Sequence, residues 1–75
     1  MLLPNKLFSY NESILCKFPA VLKELKKEPL RVQELYQKVK TNLTGVNEYI
    51  DVLDCLYALH KIEYDDKEGV LHYVI

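Results

Sequence analysis

A chain of 75 residues holds one domain around a thin core, with a stability margin on the order of 3–5 kcal/mol and no room for a deep catalytic cleft. Apolar residues make up 49% of it, yet no apolar run approaches transmembrane length, and Met1-Leu2-Leu3 is broken at once by Pro4, Asn5 and Lys6, so neither a membrane span nor a signal peptide is expected and the protein is expected in the cytoplasm. The net charge of −1 conceals a polarity that suits oriented docking on a partner: residues 1–40 carry eight Lys/Arg against four Asp/Glu, and residues 41–75 carry two against seven.

Residues 1–10 set Leu2, Leu3, Leu7, Phe8 and Tyr10 around Pro4, which reads as an extended N-terminal arm laid on the domain. Asn11 or Ser13 then caps a first helix, whose inner face is Ile14, Phe18, Val21, Leu22 and Leu25. Pro19 falls inside this pattern. It removes one backbone donor and crowds the carbonyl four residues back, so the helix is expected either to kink near 15–18 or to divide in two. Lys23, Lys26 and Lys27 lie on its outer side, and Glu28-Pro29 ends it.

Leu30-Arg31-Val32 reads as a short extended link in the place of a first strand. A compact second helix follows over 33–40, with Val32, Leu35, Tyr36 and Val39 facing inward. A turn over 41–45 leads to a third helix capped by Thr44, with Glu48 near its positive end. Val46, Tyr49, Ile50, Leu53, Leu56 and Tyr57 form one broad face of that helix, and Val52, Cys55 and Leu59 add a flank. After His60 the pattern alternates over Lys61–Asp65, turns through Asp66-Lys67-Glu68-Gly69, and closes with a strand from Val70 to Ile75. Helix, short strand, helix, turn, helix and hairpin is the order of a small winged helix-turn-helix, an α+β fold of three helices and a C-terminal β-hairpin wing, here filling residues 1–75 as a single domain.

A winged helix that reads DNA needs Arg, Lys, Asn or Gln on the outer face of its third helix and cations on its wing. This chain offers Asn47, Glu48, Asp51 and Asp54 on the helix, no Lys or Arg from 41 to 60, and Asp65, Asp66 and Glu68 around Lys67 at the wing tip. Carboxylates repel the phosphate backbone, so groove reading by this helix is disfavoured. A second route to phosphates, or to an acidic protein, is the basic set Lys17, Lys23, Lys26, Lys27, Arg31, Lys38 and Lys40, with Lys23, Lys26, Lys27 and Arg31 as its candidate contacts, interleaved with Glu24, Glu28 and Glu34.

No phosphate-cradling glycine loop or nucleophile motif is present. Cys16, Cys55, His60 and His72 could number four zinc ligands, but their spacing matches no paired-ligand pattern. The two cysteines sit among apolar neighbours and read as buried free thiols rather than a disulfide. No catalytic residue, metal or cofactor is expected, and the chain reads as no enzyme. The last strand is largely apolar on both faces, with Leu71, Tyr73 and Ile75 on one and Val70, His72 and Val74 on the other. One face should pack inward, and the other should be covered by the arm through residues such as Leu3 and Phe8 or by another protein.

The opening Met1-Leu2-Leu3-Pro4-Asn5-Lys6, a helix from about Glu12, the Glu28-Pro29 break, and Leu53-x-x-Leu56-Tyr57-Ala58-Leu59-x-x-Ile62-Glu63 running into a hairpin together resemble the small middle components of bacterial ABC-three-component systems, relatives of Lamassu-type anti-phage defence operons. The resemblance implies a non-catalytic subunit between an SMC/Rad50-like ABC ATPase and an effector, commonly a nuclease, with any contact to DNA made through the complex. Two readings follow. One is an adaptor using Leu71, Tyr73, Ile75, Leu3 and Phe8 for partner contact. The alternative is a small DNA-binding transcriptional regulator, dimeric, contacting phosphates through Lys23, Lys26, Lys27 and Arg31. A third and weaker reading is an antitoxin-like protein that masks an effector.

Overall fold

The computed structural model describes residues 4–74, with side chains described from Glu12 to Val74. Helix α1 runs from Pro4 to Lys27, α2 from Val32 to Val39, and α3 from Val46 to Ala58, with a 3-10 turn over Lys40–Asn42. Strands β1 (Ile62–Asp65) and β2 (Val70–Tyr73) pair antiparallel. This is the expected small winged-helix α+β fold.

The N-terminal segment differs from expectation. Instead of an extended arm over 1–10, helix begins at Pro4, and residues 1–3 lie outside the described residues. Proline at a first helical position has its φ already set and lacks only an N–H that would have had no helical acceptor. Ser13, read as a cap, therefore sits in the third turn of the helix. Pro19 does not divide α1 either: the helix continues through it for 24 residues. At 1.5 Å per residue α1 is about 36 Å long, against a longest extent of 42 Å for the molecule.

Ile14, Val21 and Leu25 point from α1 into the core, with Phe18 and Leu22 half-buried beside them. This is the inner face that the sequence periodicity predicts. They meet Leu35 and Val39 of α2, Tyr49, Val52 and Leu56 of α3, and Leu30, Ile62 and Leu71.

The expected first strand is reduced to one bridge. The Leu30 N–H donates to the Leu71 carbonyl at 3.0 Å, and the Leu71 N–H returns to the Leu30 carbonyl at 2.7 Å. Leu71 of β2 is thus held on one edge by β1 and on the other by Leu30. Helix α2 starts at once after this bridge. The Arg31 N–H donates to the Glu34 carboxylate at 3.0 Å, as in one half of a capping box.

The entry to α3 also differs from expectation. Gly45, not Thr44, is the N-cap residue, and its backbone is extended (φ 166°). Thr44 instead gives its N–H to Glu48 Oε1 at 3.2 Å. The exit from α3 is a Schellman motif. The Lys61 N–H reaches the Leu56 carbonyl at 2.9 Å and the His60 N–H reaches Tyr57 at 3.0 Å. His60 takes the left-handed position at φ 60°, where glycine is usual.

The hairpin turn is closed by Asp65. Its carbonyl accepts the Gly69 N–H at 2.7 Å, and its carboxylate accepts the N–H groups of Lys67 (2.9 Å) and Glu68 (3.2 Å). Gly69 supplies the positive φ of 69° that such a turn requires. In the register Ile62↔Tyr73 and Tyr64↔Leu71, these four residues share the face towards α1 and α3. Glu63, His72, Asp65 and Val70 share the outer one.

Candidate functional site

The rotation of α3 decides what the molecule shows to a partner. Its buried stripe is Tyr49, Val52 and Leu56, spaced i, i+3, i+7, with Leu53 half-buried at the border. Val46, Ile50 and Tyr57, expected on the inner face, are 52%, 49% and 60% exposed. Cys55, expected in the core, is exposed, as is Cys16, and both are free thiols. Cys16 lies two residues from both Ile14 and Phe18, which on a helix places it on the opposite side.

Glu48 is buried on the same side of α3 as this stripe. Expected on the outer face, it is buried at 5% exposure. Its Oε2 accepts the Ser13 hydroxyl at 3.1 Å, its Oε1 accepts the Thr44 N–H at 3.2 Å, and Lys17 Nζ lies 3.9 Å from Oε1. A carboxylate in the first turn of a helix is also favoured by the helix dipole. With Glu48 turned towards α1, Val52 goes inward, and Val46, Ile50 and Tyr57 turn towards solvent.

Tyr49 ties α3 to α2. Its hydroxyl donates to the Val32 carbonyl at 2.6 Å, and its ring lies 4.9 Å from that of Tyr36, tilted by 51°. Burial pushes the Tyr49 phenol up to about 12, against a smaller downward effect of the Tyr36 backbone.

Between α2 and α3 runs a groove of about 240 Å³, lined by Val32, Gln33, Tyr36, Gln37, Val46, Tyr49 and Ile50. A second hollow, about 220 Å³, lies beyond Tyr57, among His60, Ile62, Glu63 and Tyr64. Tyr64 is 48% exposed on the hairpin. The exposed apolar surface thus extends along α3 from Val46 to Tyr57 and on to Tyr64.

A different surface gathers the basic residues. Lys23, Lys26 and Lys27 border a cleft of about 540 Å³ on α1, floored by Phe18, Pro19 and Leu22. Lys26 stands 5.1 Å over the ring of Tyr73, a cation–π distance, and Lys27 lies 3.4 Å from Glu24. Arg31 does not line this cleft. It is exposed at the entry to α2.

Of the residues expected to meet a partner, Leu71 is buried in the core at 6% exposure and Tyr73 is half-buried under Lys26. The inward face of the last strand is therefore the one that carries Leu71. Leu3, Ile75 and the Phe8 side chain lie outside the described residues. On the hairpin's outer face His72 Nε2 comes 3.9 Å from Glu63. Among the described residues no group of three or more His, Cys, Asp or Glu could hold a metal ion, so the structure does not bring Cys16, Cys55, His60 and His72 together. No helix among the described residues is long and apolar enough to cross a membrane.

Comparison with known families decides what kind of winged helix this is. The family model of the ABC-three component (ABC-3C) system Middle Component 7 matches residues 3–71, nearly the whole chain. The chain belongs to this family. Middle components are non-catalytic subunits, so the role of this Middle Component 7 chain is that of an adaptor in an ABC-3C system and not of an enzyme. No curated protein and no solved structure matches it significantly. The apolar face of α3 is the feature of this middle component that periodicity alone misplaced. The legible signal for it was the absence of Lys and Arg from 41 to 60 beside an excess of large apolar residues.

Proposed function

We propose that this middle component bridges an SMC/Rad50-like ABC ATPase and an effector subunit, a nuclease being the expected chemistry, in a cytoplasmic anti-phage defence complex. In this role it transmits the state of the ATPase to the effector and meets DNA only through the assembled complex. The observation that carries the reading is the outer face of α3. Where a DNA reader carries cations, it presents exposed Val46, Ile50 and Tyr57 beside Asp54. Exposed apolar residues at the centre of a polar rim favour protein contact, and carboxylates oppose phosphate contact. The test is co-expression of the tagged chain with its flanking genes. Recovery of an ATPase and a second subunit in stoichiometric amounts supports the bridge, and recovery of the chain alone overturns it.

One observation favours a second reading, the DNA-binding regulator. Lys23, Lys26 and Lys27 converge on one cleft. That reading requires DNA binding that weakens steeply with salt and is lost in Lys23→Glu/Lys26→Glu/Lys27→Glu. Equal binding by the wild type and this variant removes it.

A further inference from the structure

The geometry points to the α3 surface as the docking site of an amphipathic helix with a basic polar face, supplied by another subunit of the complex. This rests on the adaptor reading and names the site and the chemistry of its occupant. Val46, Ile50, Leu53 and Tyr57 are spaced i, i+4, i+7, i+11, a straight stripe three turns long on the surface of α3. A partner helix lays its own i, i+4, i+7 residues into such a stripe. The groove of about 240 Å³ between α2 and α3 gives one of those side chains a seat at the Val46–Ile50 end. The hollow of about 220 Å³ beside Tyr57 gives another a seat about two to three turns further on.

The charge of the rim selects the occupant. On the open side of the stripe stands the exposed Asp54, and Glu63 lines the second hollow. The acidic wing tip follows, while the α2 wall of the groove is formed by the uncharged Gln33 and Gln37. A helix flanked by Lys or Arg meets these carboxylates favourably, whereas an acidic helix or a nucleic acid is repelled.

A second copy of the chain fits less well in both arrangements. A two-fold contact of α3 on α3 sets each acidic rim against its equal. A contact of the basic α1 of one copy on the acidic α3 of another is head-to-tail and builds rings or filaments, not a two-chain unit that leaves a face for the other subunits. The occupant is therefore a different chain.

The experiment uses the co-expressed complex, with a photo-crosslinking amino acid at position 50 and the variants Ile50→Asp and Asp54→Lys. Both positions are exposed, so each variant should keep the wild-type circular dichroism. Tyr57→Ser serves as a second probe of the stripe should Ile50→Asp unfold the chain. The proposal predicts a crosslink to one peptide of another subunit, apolar at helical spacing and flanked by Lys or Arg. It further predicts at least about 10-fold weaker binding of that subunit by Ile50→Asp or Tyr57→Ser. Asp54→Lys should weaken binding and reduce its sensitivity to salt. Full partner recovery by folded Ile50→Asp and Tyr57→Ser overturns the docking site and leaves the adaptor reading intact. So does a crosslink to an acidic peptide or to a second copy. Recovery of no partner by the wild type overturns both.

Discussion

The Ser13–Glu48 contact joins residues 35 apart in sequence and holds α3 in the rotation that puts Val46, Ile50 and Tyr57 outside. Its removal is the sharpest test of that rotation. A hydrogen bond to a charged acceptor contributes about 1.5–3 kcal/mol. Glu48 accepts two, from the Ser13 hydroxyl and the Thr44 N–H, both partly buried, so the lower end of the range applies to each. Ser13→Ala should then cost about 1.5 kcal/mol. Glu48→Ala should cost about 3 kcal/mol, most of the 3–5 kcal/mol margin of a chain this size. Glu48→Gln keeps an acceptor for Thr44 and can donate to the Ser13 oxygen. It gives up only the charge and the distant Lys17, about 1 kcal/mol.

In urea, with a slope of about 1 kcal/mol per molar, Ser13→Ala moves the midpoint down by about 1.5 M. The cycle that includes Glu48→Ala is run in trimethylamine N-oxide, which strengthens burial enough to keep the weakest variant folded. Once Glu48 is gone, Ser13→Ala should add little, leaving a coupling energy of at least about 1 kcal/mol. Effects that add to within about 0.5 kcal/mol, or a Glu48→Ala chain as stable as Glu48→Gln, would refute this account of how α3 is fixed.

Other perturbations follow from single features. His60 occupies the left-handed position after α3, so His60→Gly should raise the urea midpoint by up to about 1 kcal/mol equivalent; a lower midpoint contradicts it. Gly45 has extended backbone and nothing within 4 Å of an added Cβ, so Gly45→Ser should stabilise by a few tenths of a kcal/mol through a new N-cap, roughly at the limit of chemical denaturation. Tyr49→Phe removes the 2.6 Å bond to the Val32 carbonyl and should cost about 1–2 kcal/mol at neutral pH. Because the folded phenol ionises near 12 and the unfolded one near 10, Tyr49 holds stability that is complete below pH 10 and lost as pH rises through about 12. The Phe variant should lack that fall, and an unchanged pH profile argues against it.

The order of elements was legible because each carries a local signature. Examples are the apolar face of α1 through Ile14, Val21 and Leu25, the stop at Glu28-Pro29, and the Asp65–Gly69 turn. The rotation of α3 was not. That helix is apolar around more than half its circumference, so periodicity allows several inner faces, and the choice is made by a polar contact with Ser13, far away in sequence. The same rotation leaves Cys55 outside despite its apolar neighbours. The start of α1 was misread because apolar density around Pro4 looked like an interrupted segment, whereas proline at the first position of a helix interrupts nothing. Apolar residues on both sides of the last strand suggested an open face around Leu71. Leu71 instead turns into the core, and the bridge to Leu30, formed across a gap of about forty residues, occupies the outer edge of the strand.

The bridging role is tested most directly by leaving the chain out. With the complete set of flanking genes expressed, the account predicts that the ATPase and the effector co-elute in one complex with this chain. It also predicts that deleting this chain alone separates them into two independent peaks. Co-elution of ATPase and effector in its absence would contradict the account, as would a wild-type chain that elutes by itself as a monomer or homodimer.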